Sequence, residues 1–539
     1  GVGGRRCSCA AAHGGPGTMA PMKSLQKQVR TLFEEAMRAA FPSIQQEVLV
    51  VKGNPKFGDY QCNNAMGLFK DHGKGLGYAN PGAMAEAIKN CLPKNDLLGE
   101  ITVAPQGFIS VKLSAQWLGS QLGQVLDSEV EFLDPPRKRV VVDFSSPNIA
   151  KEMHVGHLRS TIIGESTCRI LEFCGHEVHR LNHVGDWGTQ FGMLIEYMKE
   201  AYPNFQNELP EISDLQEFYK ASKKRFDDDE EFKKKAQLSV VDLQSGGEFA
   251  LSAWQKICDV SRAAFLKIYS RLGITIEERG ESFYNSLLPP LVEDMKARGL
   301  CVESKGAMCV WTPKIAEIPL MAVKTDGGYG YDSTDLAAIY HRLFMMRADW
   351  VIYVTDLGQE LHFHMIFDAA EQAGWHRPGI SRLDHMGFGV VQGEDHKKFK
   401  TRSGEVVKLN DLLDEAVERA GQEIKQRVAD QAAAENEVFL ATEEEQKEAA
   451  ERIGIAAVRY FDMKANRTSP YVFNYDKMLD AKGNSAVFLF YAYARIRAIQ
   501  RKSGKDVSKL PSNAVKVGQP AERDLALKLL QFPDVMEVI

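Results

Sequence analysis

Hydrophobic and polar positions alternate with two different periods along the chain, and they predict a mixture of helices and strands. Leu25, Val29 and Phe33 recur every three to four residues, which is the spacing of one face of a helix. Short apolar runs follow, and we interpret the region 23–130 as an α/β unit. Val140–Phe144 is a continuous apolar run, which is typical of a strand buried in a parallel sheet.

Two of the predicted buried strands are each followed by a polar loop and a helical stretch. Val140–Phe144 leads into Ser145–Asn148 and a helix that begins near Lys151. Val351–Val354 leads into Thr355–Asp356 and another helix. In an open parallel sheet, ligands bind beyond the carboxyl ends of the strands. We therefore expect an α/β fold whose chemistry lies at these two loops.

Composition narrows the class of protein. A chain of 539 residues corresponds to about three or four domains. Hydrophobic residues make up 44% and charged residues 26%, as in ordinary globular proteins. No apolar run reaches the length of a membrane span. Nine cysteines show no C-x-x-C spacing and predict free thiols. With a net charge of -6, any nucleic-acid surface must be local.

The first 22 residues differ from the rest of the chain. They are rich in Gly and Ala, contain no acidic residue and have no apolar core of signal-peptide length. We predict a disordered leader that is either part of a transit peptide or an extension ahead of Met19 or Met22. The protein is expected in the cytoplasm, with a plastid or mitochondrion as the alternative.

A His-x-Gly-His sequence lies where the first buried strand hands over to a helix. His154 and His157 are three apart and share one helix face. Unpaired N–H groups at a helix N-terminus attract phosphate. Gly156 has no side chain and lets a flat ring or backbone approach. This position predicts a cradle for a nucleotide triphosphate, whereas surface or capping histidines are the simpler interpretation of the four residues alone.

A basic segment at 397–404 (KKFKTRSG) is a second candidate for phosphate binding. Its ammonium, guanidinium and hydroxyl groups predict a loop that closes over phosphates, with a solvated basic loop as the alternative.

Acidic and aromatic residues form a third group of candidates. Tyr331 and Asp335 are four apart and share a helix face, and Glu281 follows a glycine. Carboxylates and an aromatic face suit a guanidinium ion. Taken singly, each of these residues is more often a surface or capping residue.

The C-terminal part is mostly helical by pattern and locally basic. Residues 451–511 contain twelve lysines and arginines against five acids, interleaved with aromatic residues. Positive charge follows phosphates and exposed rings stack on unpaired bases, so this stretch is a candidate RNA surface. We expect at least half of the aromatic residues to pack in the core instead.

Together these features resemble the arginyl-tRNA synthetases, class I aminoacyl-tRNA synthetases of the eukaryotic type. The most specific stretches are 146–160 (SPNIAKEMHVGHLRS) and 182–192 (NHVGDWGTQFG), and 54–61 (NPKFGDYQ) is similar to the N-terminal added domain. After the leader over 1–22, the resemblance implies an α/β added domain over 23–130, a Rossmann-type parallel-sheet catalytic domain with a helical insertion over 131–445, and an all-α anticodon-binding bundle over 446–539. The end at Ile539 falls inside that bundle, so we expect a C-terminally truncated form.

The resemblance also implies a role for each matching residue. The catalytic residues are Lys151, His154, His157 and Lys400. The ATP-binding residues are His154, Gly156, His157, Lys398 and Lys400. The arginine-binding residues are Ser146, Pro147, Asn148, His157, Glu281, Tyr331, Asp335 and Gln359. The tRNA-binding residues are Phe108 at the tRNA elbow and Asp476, Lys477, Met478, Lys482 and Asn484.

The implied reaction activates arginine with ATP, aided by Mg²⁺, and transfers it to the 3′ end of tRNA. Lys398–Ser403 replaces the lysine-rich loop of most class I enzymes, and Lys151 is taken to substitute for the missing lysine. The protein is expected to be a monomer, alone or within a multi-synthetase assembly, without contact with a membrane. An H-x-G-H nucleotidyltransferase acting on a small acid, a non-catalytic paralogue, and a lysine-specific synthetase are the alternatives.

Overall fold

The computed structural model describes residues 24–73, 75–127, 136–203, 215–397, 407–433 and 442–536. The predicted leader, and Lys398 and Lys400 of the basic loop, lie outside these residues. The chain divides into two compact units: one comprises the residues up to Pro135 together with those from Ile499, and the other comprises Pro136–Ala498. The predicted domain boundary at residue 446 differs from this division and stays a prediction.

Fourteen strands lie in the described part of the chain. In order they are β1 (Val50–Lys52), β2 (Tyr60–Cys62), β3 (Leu98–Val103), β4 (Ile109–Leu113), β5 (Arg139–Asp143), β6 (Glu177–Asn182), β7 (Glu277–Glu278), β8 (Cys301–Ser304), β9 (Ala307–Val310), β10 (Leu320–Val323), β11 (Trp350–Tyr353), β12 (Arg382–His385), β13 (Val391–Gln392) and β14 (Tyr471–Val472).

The α-helices of the same ranges alternate with these strands and dominate the C-terminal half. In order they are α1 (Leu25–Ala40), α2 (Asn64–Leu68), α3 (Pro81–Asn90), α4 (Ala115–Asp127), α5 (Val155–Phe173), α6 (Thr189–Ala201), α7 (Leu215–Asp228), α8 (Glu230–Gln244), α9 (Glu248–Leu272), α10 (Leu288–Ala297), α11 (Tyr331–Tyr340), α12 (Glu360–Gln372), α13 (Leu409–Ala433), α14 (Glu443–Met463), α15 (Tyr475–Leu479), α16 (Ala486–Ser503), α17 (Pro520–Leu530) and α18 (Phe532–Met536). No helix among them is long and apolar enough to cross a membrane.

The first unit is built on a four-stranded antiparallel sheet in the order β1-β2-β4-β3. The apolar face of α1 is buried, and Ser24 caps its N-terminus. The Ser24 hydroxyl also donates to the Asp534 carboxylate at 2.7 Å, and Arg523 pairs with the buried Asp59. The last described helices therefore pack with the N-terminal unit, through contacts that are distant in sequence.

The second unit contains a five-stranded parallel sheet in the order β12-β11-β5-β6-β7. Val140 and Val142 of β5 face one hydrophobic core, and Val141 faces another. Both faces of β5 are therefore covered, which explains its continuous apolar run. The predicted pair of buried strands is confirmed, and β5 and β11 lie side by side at the centre of the sheet.

Candidate active site

The loop that follows β5 has an unusual backbone. Ser145, Ser146 and Ala150 have φ values of 73°, 46° and 61°, in the left-handed region that side chains disfavour. Strain of this kind persists where surrounding bonds overdetermine it, and it is concentrated at functional sites. The Ser146 N–H donates to the Asn182 side chain at 2.9 Å, and the Ser146 hydroxyl donates to Asp143 at 3.1 Å.

The two most specific sequence stretches meet at this loop. The Gly185 N–H donates to the Pro147 carbonyl at 3.1 Å, and the Ile149 N–H donates to the Gly185 carbonyl at 3.1 Å. A Cβ at Gly185 would lie 2.1 Å from the Asn148 side-chain oxygen, so only glycine permits this approach. The tertiary structure thus joins segments that lie more than thirty residues apart in sequence.

His154 and His157 lie at the N-terminus of α5, as the pattern predicts. The Gly156 N–H donates to His154 Nδ1 at 3.0 Å, and the His154 N–H donates to His157 Nδ1 at 3.0 Å. A ring nitrogen that accepts a hydrogen bond carries no proton, so both neutral imidazoles bear theirs on Nε2. Burial, together with neighbouring His154 and Lys151, lowers the pKa of His157 to about 3. His157 is therefore a neutral hydrogen-bond donor at neutral pH.

Gly156 has a more specific reason to be glycine than the sequence indicates. A Cβ there would lie 2.7 Å from Cε1 and 2.8 Å from Nδ1 of His154. The glycine therefore makes room for the folded-back imidazole, which in turn caps the helix. His154, Gly156 and His157 therefore hold one another in position through their hydrogen bonds.

Lys151 and the residues that follow the basic loop, from Val407 onwards, lie beside this helix terminus. The Lys151 ammonium is 5.3 Å from the centre of the Tyr219 ring, a cation–π contact. The Val155 N–H donates to the Val407 carbonyl at 3.2 Å, and the Leu409 N–H donates to the Met153 carbonyl at 2.8 Å. The chain that leaves the basic loop is thus hydrogen-bonded to the histidine motif.

Asp335 belongs to an acidic cluster with Asp332 and Glu281. Its side chain contacts two histidines that the sequence pattern did not predict as its partners. His362 Nε2 lies 2.7 Å from one Asp335 oxygen, and His183 Nε2 lies 3.6 Å from the other. His362 Nδ1 is 3.5 Å from Asp332. Burial alone would raise the pKa of Asp335, but the hydrogen bond to His362 and both imidazoles lower it. His183 could have been found, since it belongs to the 182–192 stretch, but nothing local singles out His362.

Glu281 lies at the start of a 3₁₀ helix (Glu281–Leu287) and is held there by its neighbour. The N–H and hydroxyl of Ser282 donate to the Asp186 carboxylate at 2.8 and 2.5 Å. Burial, together with Asp335 and Asp186, raises the pKa of Glu281 to about 8. No cation in the described part of the chain forms a salt bridge with Glu281. Because Glu281 lies near the carboxylates of Asp335 and Asp186 and has no cationic partner of its own, this pocket suits a positively charged ligand.

Tyr331 and Gln359, the other two residues predicted for the guanidinium pocket, are more exposed. Tyr331 is 65% exposed, and its ring centre lies 5.0 Å from that of His362. Gln359 is exposed and ends a short 3₁₀ helix (Leu357–Gln359) that follows β11. Tyr331 lies beside the imidazole that contacts Asp335, and Gln359 lies three residues ahead of it in sequence.

The predicted tRNA-binding residues differ in accessibility. In the first unit, Phe108 is half-buried at the turn between β3 and β4. In the second unit, Asp476 forms a 3.0 Å ion pair with Arg419 and remains 87% exposed. Met478 is 1% exposed and belongs to the core, so its side chain has a packing role. The exposed residues of the same segment are Lys477, Lys482 and Asn484.

A covered parallel sheet with a His-x-Gly-His motif at the helix after its central strand fits a class I aminoacyl-tRNA synthetase, although the nucleotidyltransferase alternative shares the motif. The model of class I (R) tRNA synthetase catalytic domains matches residues 121–475. The arginyl-tRNA synthetase N-terminal domain matches residues 27–113, and the DALR anticodon-binding domain matches residues 489–539. The chain belongs to the arginyl-tRNA synthetase family.

Relatives extend over nearly the whole chain. The chloroplastic/mitochondrial arginine–tRNA ligase of Arabidopsis thaliana is 47% identical over 95% of this chain and 80% of its own length. The cytoplasmic arginine–tRNA ligase of Bos taurus is 46% identical over 96% of this chain and 78% of its own length. The crystal structure of arginyl-tRNA synthetase from Plasmodium falciparum has a TM-score of 0.84 at 38% identity, covering 96% of this chain and 88% of that one.

These matches confirm the predicted fold class and enzyme class. The chain is an ATP-dependent arginine–tRNA ligase with arginine, ATP and tRNA as substrates. The nucleotidyltransferase alternative is not favoured, because relatives of this family match both the catalytic region and the flanking domains.

Proposed function

We propose that arginine is activated at the carboxyl edge of the parallel sheet, between the histidine motif and the acidic cluster. The arginine carboxylate attacks the α-phosphorus of ATP, the bond from that phosphorus to the bridging oxygen breaks, and pyrophosphate leaves. The terminal ribose hydroxyl of tRNA then attacks the adenylate carbonyl, and AMP leaves. A carboxylate is already ionised at neutral pH, so the first step needs positioning and charge stabilisation rather than a strong base.

The histidine motif is proposed to hold the triphosphate. His157 acts as a neutral donor through Nε2–H, His154 acts beside it, and Gly156 leaves the space that the pair needs. The supporting observation is the hydrogen-bonded pair at the N-terminus of α5, where backbone dipoles favour an anion. Lys151, and Lys398 and Lys400 of the basic loop, supply positive charge as the transition state gains negative charge on its phosphates.

The acidic cluster is proposed to hold the arginine side chain. Glu281 and Asp335 accept hydrogen bonds from the guanidinium, while Tyr331 and Gln359 flank it. The raised pKa of Glu281 supports this role, because a guanidinium would supply the positive charge that burial has left uncompensated. The strained loop of Ser146, Pro147 and Asn148 is proposed to position the amino and carboxylate end, together with His157.

Mg²⁺ is proposed to enter on the ATP phosphates rather than in a protein cage. Around the histidine motif are imidazoles, backbone N–H groups and ammonium ions, which are poor ligands for this ion, and the nearby Glu152 carboxylate is paired with Lys408. Among the described residues, no group of three or more His, Cys, Asp or Glu side chains could hold a metal. When bound, the ion would neutralise charge on the phosphates.

The exposed polar residues that follow α14 are proposed to contact tRNA. Asp476, Lys477, Lys482 and Asn484 present charged and amide groups to solvent. Met478 contributes through packing beneath them, and Phe108 contributes separately at the tRNA elbow.

Location and assembly complete the proposal. The chain is proposed to act in the cytoplasm as a monomer, alone or within a multi-synthetase assembly. The known relatives include both cytoplasmic and organellar forms. Fluorescent fusions with and without residues 1–22 test the location: an organellar signal that requires those residues would replace the cytoplasmic assignment. Analytical ultracentrifugation tests the oligomeric state.

A pyrophosphate-exchange assay with each of the twenty amino acids, with and without tRNA, tests the proposed site. Of the twenty amino acids, only arginine is expected to support exchange. The His157→Asn variant is expected to lower the rate of this exchange strongly. Arg298→Gln, which removes an exposed ion pair with Asp294, serves as the control. Unchanged exchange in His157→Asn would remove the histidine motif from the reaction.

A further inference from the structure

Arg159 follows the histidine motif by two residues and is almost completely buried. Its side chain is 1% exposed, and its Nε lies 3.1 Å from the carboxylate of Asp462, which is buried to the same extent. Charged groups are rarely buried without a specific partner, because removing them from water is costly. The pair joins α5 to α14, which are far apart in sequence.

The guanidinium also binds backbone carbonyl groups of two other segments. It donates from Nη1 to Gly389 at 2.7 Å and to Ser469 at 3.2 Å, and from Nη2 to Asn466 at 3.4 Å. Its centre lies 5.0 Å from the Tyr471 ring. Several directed donors on a planar group can satisfy this arrangement, whereas the point charge of lysine cannot.

These carbonyl groups belong to the segment that enters the basic loop and to the segment that supports it. The Gly389 N–H donates to the Arg467 carbonyl at 2.9 Å, and the Phe473 N–H donates to the Gln392 carbonyl at 2.9 Å. Strand β13 pairs in parallel with β14 just before the loop begins. The entry to the loop is therefore fixed in place by contacts that converge on Arg159.

The exit from the loop is fixed to the same helix. Lys408 forms an isolated β-bridge with His154, and hydrogen bonds from Val155 and Leu409 extend it. The segments on both sides of the basic loop are thus bonded to α5. The segment after the loop contacts the start of α5, and the segment before it contacts Arg159. The described residues on either side of the basic loop are therefore both fixed relative to the helix that carries the histidines.

We propose that Arg159 is a positioning residue for adenylate formation, which sets the entry of the basic loop relative to His154 and His157. The inference rests on the proposed phosphate-binding role of that loop and of the histidines. Arg159 does not touch substrate. It acts through the Gly389 carbonyl, and Asp462 orients its guanidinium.

The test separates positioning from stability. Arg159→Met alone leaves Asp462 buried without its cation and is expected to unfold readily, so the main variant is Arg159→Met combined with Asp462→Leu. This pair is expected to keep the wild-type melting temperature. In pyrophosphate exchange with tRNA present, kcat should fall and the KM for ATP should rise, together by about tenfold to a hundredfold in kcat/KM, as for a small misplacement of reacting groups. The equilibrium affinity for arginine should not change.

A second variant disturbs the same contact without touching the ion pair. A Cβ at Gly389 would lie 2.5 Å from the Ser469 carbonyl carbon, so Gly389→Ala must push the loop entry away from its support. The same loss in ATP KM and kcat is expected. Arg169→Met is the matched control, because Arg169 lies on the same helix and pairs with Glu165 while half-exposed; its kinetics should match the wild type.

Wild-type kcat and KM for ATP in the folded double variant would overturn the proposal. Wild-type kinetics in Gly389→Ala would do so as well if the double variant failed to fold. His157→Asn tests the proposed function separately. A null result there removes the phosphate role of the histidines, whereas a null result confined to the Arg159 and Gly389 variants removes only the positioning role.

Discussion

The two ends of the candidate active site are built on opposite principles. At the phosphate end, His154, Gly156 and His157 hydrogen-bond to one another, and the pKa of His157 is lowered so that it stays neutral. At the proposed guanidinium end, Asp335 is already hydrogen-bonded to His362, whereas Glu281 forms no salt bridge within the described residues and its pKa is raised to about 8. The first end is complete within a single helical turn, and the second is proposed to be completed by the arginine guanidinium. The difference predicts that substitutions at the guanidinium end will have the larger effects on binding.

Asp335→Asn is expected to have the largest effect. Losing one partner of a buried charge pair costs about 2–5 kcal/mol, so arginine affinity should fall by about thirtyfold or more, with little change in the KM for ATP. Equilibrium dialysis with labelled arginine measures the first, and pyrophosphate exchange measures the second. Asp368→Asn is the control, since that buried carboxylate contacts Gln372 instead. Arginine affinity that survived Asp335→Asn would show that the pocket has been assigned wrongly.

Lys151→Ala tests the phosphate end and is expected to act on rate. Removing one charge that stabilises the transition state should lower the turnover of adenylate formation by about tenfold to a hundredfold. Arginine affinity should hardly change, because Lys151 lies near the histidine motif rather than the acidic cluster. Lys223→Ala, which removes an exposed ion pair with Asp227, is the control in single-turnover measurements. A wild-type rate would remove Lys151 from the mechanism.

The pH dependence of arginine binding tests the guanidinium end through the titration of Glu281. In the free protein Glu281 holds a proton below about pH 8, and a bound guanidinium favours its ionised form, so binding releases a proton below that pH. Arginine affinity should therefore rise from pH 6 to about 8, by at most about tenfold per pH unit, and then level off. Calorimetry in buffers of different ionisation enthalpy measures the released proton. Glu281→Gln should bind more weakly and lose this slope; a slope that persisted would assign the proton to another group.

Gly156→Ala is expected to have the smallest effect. The added methyl group must displace the His154 ring, which it would approach to 2.7 Å, and the helix cap moves with it. We expect the KM for ATP to rise by about threefold to tenfold, which corresponds to about 0.7–1.4 kcal/mol, while arginine affinity stays unchanged. Gly421→Ala on α13 is the control, because its added methyl group would make only an ordinary van der Waals contact. Gly175→Ala is unsuitable, because Gly175 has a positive φ that alanine disfavours. An unchanged KM for ATP would mean that the ring adjusts without consequence.

The parts of the site that were predictable from sequence are those with a local cause. Val140–Phe144 shows its burial directly, and the histidines follow it at the spacing of a helix start. The contact between Asp335 and His362 had no such signal, since His362 lies on another helix and comes close only when α11 and α12 pack. Met478 shows the opposite case: it lies in a basic, polar stretch, yet the fold directs its side chain into the core.

The sequence alone determined two central strands of the parallel sheet, the helices that follow them and the residues of the histidine motif, because hydrophobic periodicity and helix capping act over a few neighbouring residues. Only the tertiary structure decided which distant groups meet: Asn148 with Gly185, Asp335 with His362, and Arg159 with Asp462 and the Gly389 carbonyl. Burial and pairing set the charge states in the site. Those are properties of the packed molecule, because desolvation and electrostatic interactions depend on distances through space rather than along the chain.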